Sequence, residues 1–123
     1  MDESQQIKEL FNQLLRAKTI MIPKKGIVEV SKKQGVYVIY DSEGKILHVG
    51  RTISAKNGLN QRLLNHVHNQ TSFSKLYMKP SKISLREGCK FKFLEVEDSR
   101  ARALLEALSI GLLCPKHIGL GEK

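Results

Sequence analysis

The chain has 123 residues, 41% of them apolar, which fits one globular domain with a single core and excludes a disordered chain. No window approaches the roughly 18 consecutive apolar residues of a membrane span, and the acidic, polar start MDESQQIKELF lacks the pattern of a signal peptide. A formal net charge of +9 and a pI near 9.7 point to a polyanionic partner, with nucleic acid as the default.

In chain order, Ile7, Leu10, Phe11, Leu14 and Leu15 recur at helical spacing and predict an amphipathic helix over 3–18, with Ser4 as a candidate N-cap. Pro23 and Gly26 break that pattern, and 27–30 is a candidate short strand. A hairpin follows: alternating apolar residues over 36–40, the turn Asp41-Ser42-Glu43-Gly44, and a second strand over 46–49. Residues 50–58 read as a loop. A helix over about 59–68 places Leu59, Leu63 and Val67 on one face and Arg62, His66 and Asn69 on another. Residues 72–89 have no clear period; a short helix at 73–77 precedes a basic loop. Residues 91–96 alternate as a third strand, and Ser99 is placed to cap a helix over 100–113 that Cys114-Pro115 ends. The expected fold is α/β, a small, mainly antiparallel three-stranded sheet flanked by helices, with an extra N-terminal helix. The expected organisation is an N-terminal helix and basic segment (1–33), a main domain (34–119) and a short tail (120–123).

Positive charge is clustered. Arg16, Lys18, Lys24, Lys25, Lys32 and Lys33 lie before the hairpin, and Lys75, Lys79, Lys82, Arg86, Lys90 and Lys92 form a second group. Two such groups favour a phosphate-binding face over a merely solvated surface. Cys89 and Cys114 lack metal-ligand spacing and read as two reduced thiols, consistent with a cytoplasmic protein. His66 and His68 fall on different helix faces with no cysteine near, which argues against zinc. Phe73, Tyr77, Phe91 and Phe93 read as core, and Tyr40 as structural or as a phosphate contact.

The polar residues outside the core pattern are Tyr37, His48, Arg51, Arg62, His66 and Glu106. Their order and spacing resemble the GIY-YIG nuclease family over about residues 34–119. Gly35-Val36-Tyr37 matches the first signature tripeptide. His48-Val49-Gly50 occupies the second, with His in place of Tyr. Arg51-Thr52 resembles the basic and hydroxyl pair that follows it. Arg62 lies on the next helix, His66 one turn later resembles the restriction-enzyme branch, and Glu106 precedes Pro115 on the last helix. The resemblance implies a metal-dependent DNA endonuclease leaving 5′-phosphate and 3′-hydroxyl ends, of restriction or structure-specific type. RNA as substrate and a homodimer stay open. It implies that Glu106 binds Mg²⁺ or Mn²⁺, that Arg62 holds the scissile phosphate, and that Arg51 and Thr52 contact phosphate. Tyr37 would act as base, with His48 and His66 as hydrogen-bond or proton partners. Such a tyrosine needs its pKa depressed by neighbouring positive charge to act as a base near neutral pH, with Arg51, Arg62, the metal, or a hydrogen bond from His48 or His66 as candidates. One carboxylate plus substrate oxygens is a typical Mg²⁺ site. The sequence departs from the family where an asparagine is usual three residues after the proline: Ile118 stands there, with His117 beside it as a candidate substitute.

Taken singly, each residue has an ordinary explanation. Tyr37 could face a half-buried sheet surface, and Glu106 has Arg102 four residues before it as a default ion-pair partner. Two other readings remain at this level. One is a nucleic-acid-binding module without catalysis, favoured by Ile118; the other is an interaction domain within a larger assembly.

Overall fold

A strand whose two faces are both buried organises the molecule. In the computed structural model, which describes residues 2–26, 29–53, 56–68 and 70–118, β2 (Gly35–Tyr40) lies between β3 (Ile46–Arg51) and β4 (Lys90–Glu95). Its alternate residues feed two cores. Val36 and Val38 join Ile7, Leu14, Val49 and Leu105, contributed mainly by α1 (Glu3–Arg16) and α3 (Ser99–Leu113). Tyr37 and Ile39 join Leu59, Leu63, Phe73 and Phe91 on the other face. That face is covered by α2 (Gly58–Val67) and a π-helical turn, Phe73–Met78. Burial on both sides explains the almost unbroken apolar run of β2.

The sheet has four strands in the order β1-β4-β2-β3, all antiparallel, so the expected three-stranded core gains a fourth strand. That strand, β1, is Ile20–Met21, paired with Phe91 and Lys90. The strand expected at 27–30 is not formed at Glu29 and Val30, and Ile27 and Val28 lie outside the described residues. Val30 and Ser31 instead donate their amides to Asn60 Oδ1 on α2. β3 runs on through Gly50 and Arg51, which the sequence reading placed in a loop. The segment after α3 lines the outer edge of β3, where Lys116 N and His117 N donate to the Ile46 and Leu47 carbonyls (3.0 and 2.9 Å).

Two helix caps differ from expectation by one or two residues. Asp2, not Ser4, caps α1, in a reciprocal capping box with Gln5. Asp98, not Ser99, caps α3 through the Ala101 amide at 2.8 Å. In both cases a carboxylate precedes the hydroxyl and serves the exposed N–H groups, with added attraction to the helix N-terminus. Cys114, in the left-handed conformation at φ 48°, ends α3 before Pro115. Both cysteines are free thiols.

Several basic residues are tied to the chain itself. Arg86 donates to the Pro23 and Gly26 carbonyls, and Lys92 donates to the Leu15 carbonyl. Lys92 also lies 5.8 Å over the Tyr40 ring, which gives Tyr40 a packing role. Two members of the second basic group thus hold the fold together. Arg102 is buried and one of its nitrogens, NH1, donates to the carbonyls of Val96 and Glu97 (3.0 and 2.8 Å). It therefore does not make the helical ion pair with Glu106 that spacing suggests. Arg102→Met should leave two carbonyls at the start of α3 without a donor. The expected loss is about 2 kcal/mol in urea unfolding, with unchanged secondary structure.

Candidate active site

Cross-strand neighbours share a face, so the register of the β2–β3 hairpin sorts the polar residues. Tyr37 lies opposite Gly50 and Ile39 opposite His48, which sends Tyr37 and His48 to the α2 side. Val36 lies opposite Arg51, which sends Arg51 to the α3 side. β3 is an edge strand, so groups from both faces can meet around it. The meeting point is Gly50. A Cβ at that position would lie 2.4 Å from Tyr37 Oη and 3.1 Å from His48 Nε2, so the phenol needs a residue without a side chain there.

On the α2 side, Arg62 and His66 are one helical turn apart and both reach Tyr37. Arg62 Nε donates to Tyr37 Oη at 3.2 Å, and His66 Nε2 lies 2.5 Å from the same oxygen. The chain continues inward. His66 Nδ1 is 2.7 Å from Thr71 Oγ1, which is 2.6 Å from Ser74 Oγ and also accepts the Ser74 amide. On the α3 side, Arg51 NH1 donates to Glu106 Oε1 at 2.8 Å, with both side chains partly exposed. A cleft of about 180 Å³ is lined by Arg51, Thr52, Ile53, Arg62 and Asn65 and joins the two sides. Arg62 therefore links the buried phenol to the surface.

His48 and Thr52 do not face this cleft equally. His48 is buried, stacked on Phe73 at 4.4 Å, with Nδ1 3.2 Å from His117 Nδ1, so one of these nitrogens carries the shared proton. His117, the candidate substitute beside Ile118, thus braces His48 from behind. Thr52 is buried too. Its Oγ1 accepts the Gly35 amide and its own amide donates to the Gly35 carbonyl, clasping the two ends of the hairpin. Thr52 is also among the residues that line the cleft, and in the clasp its hydroxyl oxygen serves as an acceptor. Thr71, Ser74 and the steric role of Gly50 were not picked out in sequence.

Electrostatics divide the site into a neutral interior and a charged rim. Burial pushes the Tyr37 phenol well above its ordinary value; Arg62 opposes this and Glu106 adds to it. Desolvation outweighs the Arg62 guanidinium, so the protein's own charges do not depress the tyrosine. Burial holds His66 well below the usual histidine range, with His48, Arg62 and His117 acting in the same direction. His48 is lowered to about 3, first by burial, then by His117 and Arg62. The Glu106 carboxyl is raised by burial, and Arg51 and Arg62 counteract the shift.

Among the described residues, no three His, Cys, Asp or Glu side chains gather into a metal-holding group. The donor set near the cleft is one carboxylate, Glu106, of which Arg51 engages one oxygen. Such a site fits a divalent cation that keeps water and substrate oxygens as its other ligands, as Mg²⁺ does. Glu106 could hold that ion if Arg51 turned towards another anion.

The buried histidines also set a pH dependence of stability. Below about 6.5 the unfolded chain takes up protons that folded His48 refuses until about 3, so stability falls as pH falls through that window. Each such histidine contributes a slope of about 1.4 kcal/mol per pH unit. Urea unfolding at pH 7 and pH 5 should show a steeper loss for the wild type than for His48→Phe.

No protein-family model matches the chain, and no curated protein matches it. Among solved structures, it is similar to the GIY-YIG N-terminal endonuclease domain of UvrC from Thermotoga maritima, a Tyr-to-Phe mutant bound to its catalytic divalent cation. The two are 22% identical, over 94% of this chain and 96% of that one, with a TM-score of 0.50. An Asn-to-Ala mutant of the same Thermotoga maritima domain gives 22% identity, the same coverage and a TM-score of 0.49. With its antiparallel sheet, flanking helices and hairpin signature, this chain has the fold of the GIY-YIG endonuclease domain.

Proposed function

We propose that the protein is a metal-dependent endonuclease that hydrolyses DNA phosphodiesters to 5′-phosphate and 3′-hydroxyl ends. The observation that carries this reading is the convergence at Gly50. A buried tyrosine hydroxyl bonded to Arg62 and His66 lies on one side of the edge strand, and the Arg51–Glu106 pair lies on the other. The fold shared with a domain that binds a catalytic divalent cation supports it, as does the chain's net charge of +9.

The residues divide the work. Arg62 and Arg51 at the cleft bind the scissile phosphate, and the Arg62 guanidinium offsets charge that builds on its oxygens. Tyr37 Oη accepts a proton from the attacking water as its own proton passes to His66 Nε2. With the phenol raised and His66 lowered, the resting proton stays on Tyr37. Relay through the hydroxyl avoids a free phenolate, which the buried site disfavours. Anionic phosphate beside Arg62 cancels part of the positive field that lowers His66, and so favours the transfer when substrate is bound. Glu106 would hold Mg²⁺ or Mn²⁺, and the ion, when bound, supplies Lewis-acid stabilisation of the leaving 3′ oxygen. Thr52 and His48 hold the hairpin and the buried rings in place.

The restriction-like His66 favours a defence enzyme, and a structure-specific nuclease is the companion form of the same chemistry. Two free thiols accord with a cytoplasmic setting. A DNA-binding module without catalysis is the second reading, motivated by the Arg51 side chain bonded to Glu106 where a cation would sit.

Incubation with supercoiled plasmid separates the two. The expected result is nicking with Mg²⁺ or Mn²⁺, none with EDTA, and loss of nicking by about 10²-fold or more in Glu106→Gln. Binding that releases counterions, with no cleavage of plasmid or of branched and single-stranded DNA, would assign the binding module instead.

A further inference from the structure

The hydrogen bonds beyond His66 decide which of its nitrogens can take a proton. We propose that Thr71 is a positioning residue that holds His66 in the Nδ1–H form, leaving Nε2 as the acceptor facing Tyr37. Its catalytic consequence rests on the nuclease reading; the tautomer itself does not.

The assignment follows from counting donors. Arg62 Nε–H can only donate, so Tyr37 Oη is the acceptor in that bond and its own hydrogen needs a partner. His66 Nε2, at 2.5 Å, is that partner when it is unprotonated. Nδ1 then carries the hydrogen and donates to Thr71 Oγ1 at 2.7 Å. With Nδ1–H and the Ser74 amide both donating to Thr71 Oγ1, its two lone pairs are filled, and in that arrangement its own hydrogen goes to Ser74 Oγ at 2.6 Å. In the opposite arrangement Nε2–H and Arg62 Nε–H would both point at the phenol oxygen. The phenol hydrogen would then face neither group in a fully buried site.

The distinction matters for the step described above. With Nε2 open, the water O–H bond breaks as Tyr37 Oη gains that proton, and the Tyr37 proton moves to Nε2. His66 then carries two N–H groups, still donating through Nδ1 to Thr71. With Nε2 already protonated, the same ring could accept nothing from Tyr37. Thr71 is buried and precedes the π-helical turn, whose Ser74 amide and hydroxyl both bond to Thr71 Oγ1. Thr71 can therefore orient the ring without reaching substrate.

Long-range ¹H–¹⁵N correlation of the imidazole nitrogens in the full chain tests this, with His66→Gln identifying the resonances. The expected wild-type pattern is Nδ1 protonated and Nε2 bare. Thr71→Val, which keeps the shape and removes the hydroxyl, should shift the population towards Nε2–H. Single-turnover cleavage of DNA by Thr71→Val should fall by roughly 10²- to 10⁴-fold, the scale of loss from a wrong tautomer, with unchanged DNA binding. Thr71→Ser should restore both the tautomer and the rate. A wild-type His66 protonated on Nε2, or a Thr71→Val protein with an unchanged tautomer, would overturn the assignment. Wild-type protein that cuts no DNA overturns the nuclease reading, while the tautomer measurement still decides the role of Thr71.

Discussion

Tyr37 reaches the edge of the sheet because position 50 carries no side chain. A Cβ at Gly50 would lie 2.4 Å from its hydroxyl, and the buried ring that carries that hydroxyl is held by Arg62 and His66. Everything else in the site depends on that contact. Arg62 and His66 are one turn apart on α2 and converge on the one phenol oxygen, while the Arg51–Glu106 pair approaches from the opposite face of the edge strand. The central strand β2 contributes only Tyr37 to this junction, and the open contour of Gly50 on β3 leaves room for its hydroxyl.

The same burial that fixes the geometry sets the chemistry. A tyrosine in water is a weak acid, and burial raises the Tyr37 phenol further against the opposing pull of Arg62. The two histidines nearest it are held neutral. At the cleft the charged residues are Arg51 and Arg62, with Glu106 bonded to Arg51. In the proposed relay the transferred proton rests on His66, whose buried imidazole resists charge, so the relay depends on phosphate at Arg62 to offset the positive field there. The histidine pair His48 and His117 backs this arrangement, and the segment carrying His117 is paired to β3 by backbone bonds.

Most of the fold was legible because the strong periods are real. The hairpin, the helices around Leu10, Leu63 and Leu105 and the strand at Phe91 all follow from alternation or helical spacing. The two-residue strand at Ile20 is too short to carry a period, and its formation depends on β4, more than sixty residues away. The candidate site was partly legible. Tyr37, Arg62, His66 and Glu106 stand out as polar residues in ordered elements. The fate of Thr52 was hidden, since a hydroxyl that closes a hairpin and one that contacts a ligand look alike in sequence. Thr71 and Ser74 lie in a stretch without a regular period, beside a π-helical turn that no pattern foretells. The expected pairing of Glu106 with Arg102 failed because Arg102 caps two carbonyls from a buried position, and Arg51 reaches Glu106 from another strand.

The most direct test of the account is the single-turnover rate of DNA cleavage by Tyr37→Phe with Mg²⁺ and saturating substrate. Phenylalanine preserves the buried ring and removes only the oxygen at which Arg62 and His66 meet. The account predicts a rate lowered by about 10²- to 10⁴-fold, with DNA binding and the folded state retained. Cleavage by the folded Tyr37→Phe protein at the wild-type rate would contradict it, and would move the proton-accepting role to a group outside the Gly50 junction.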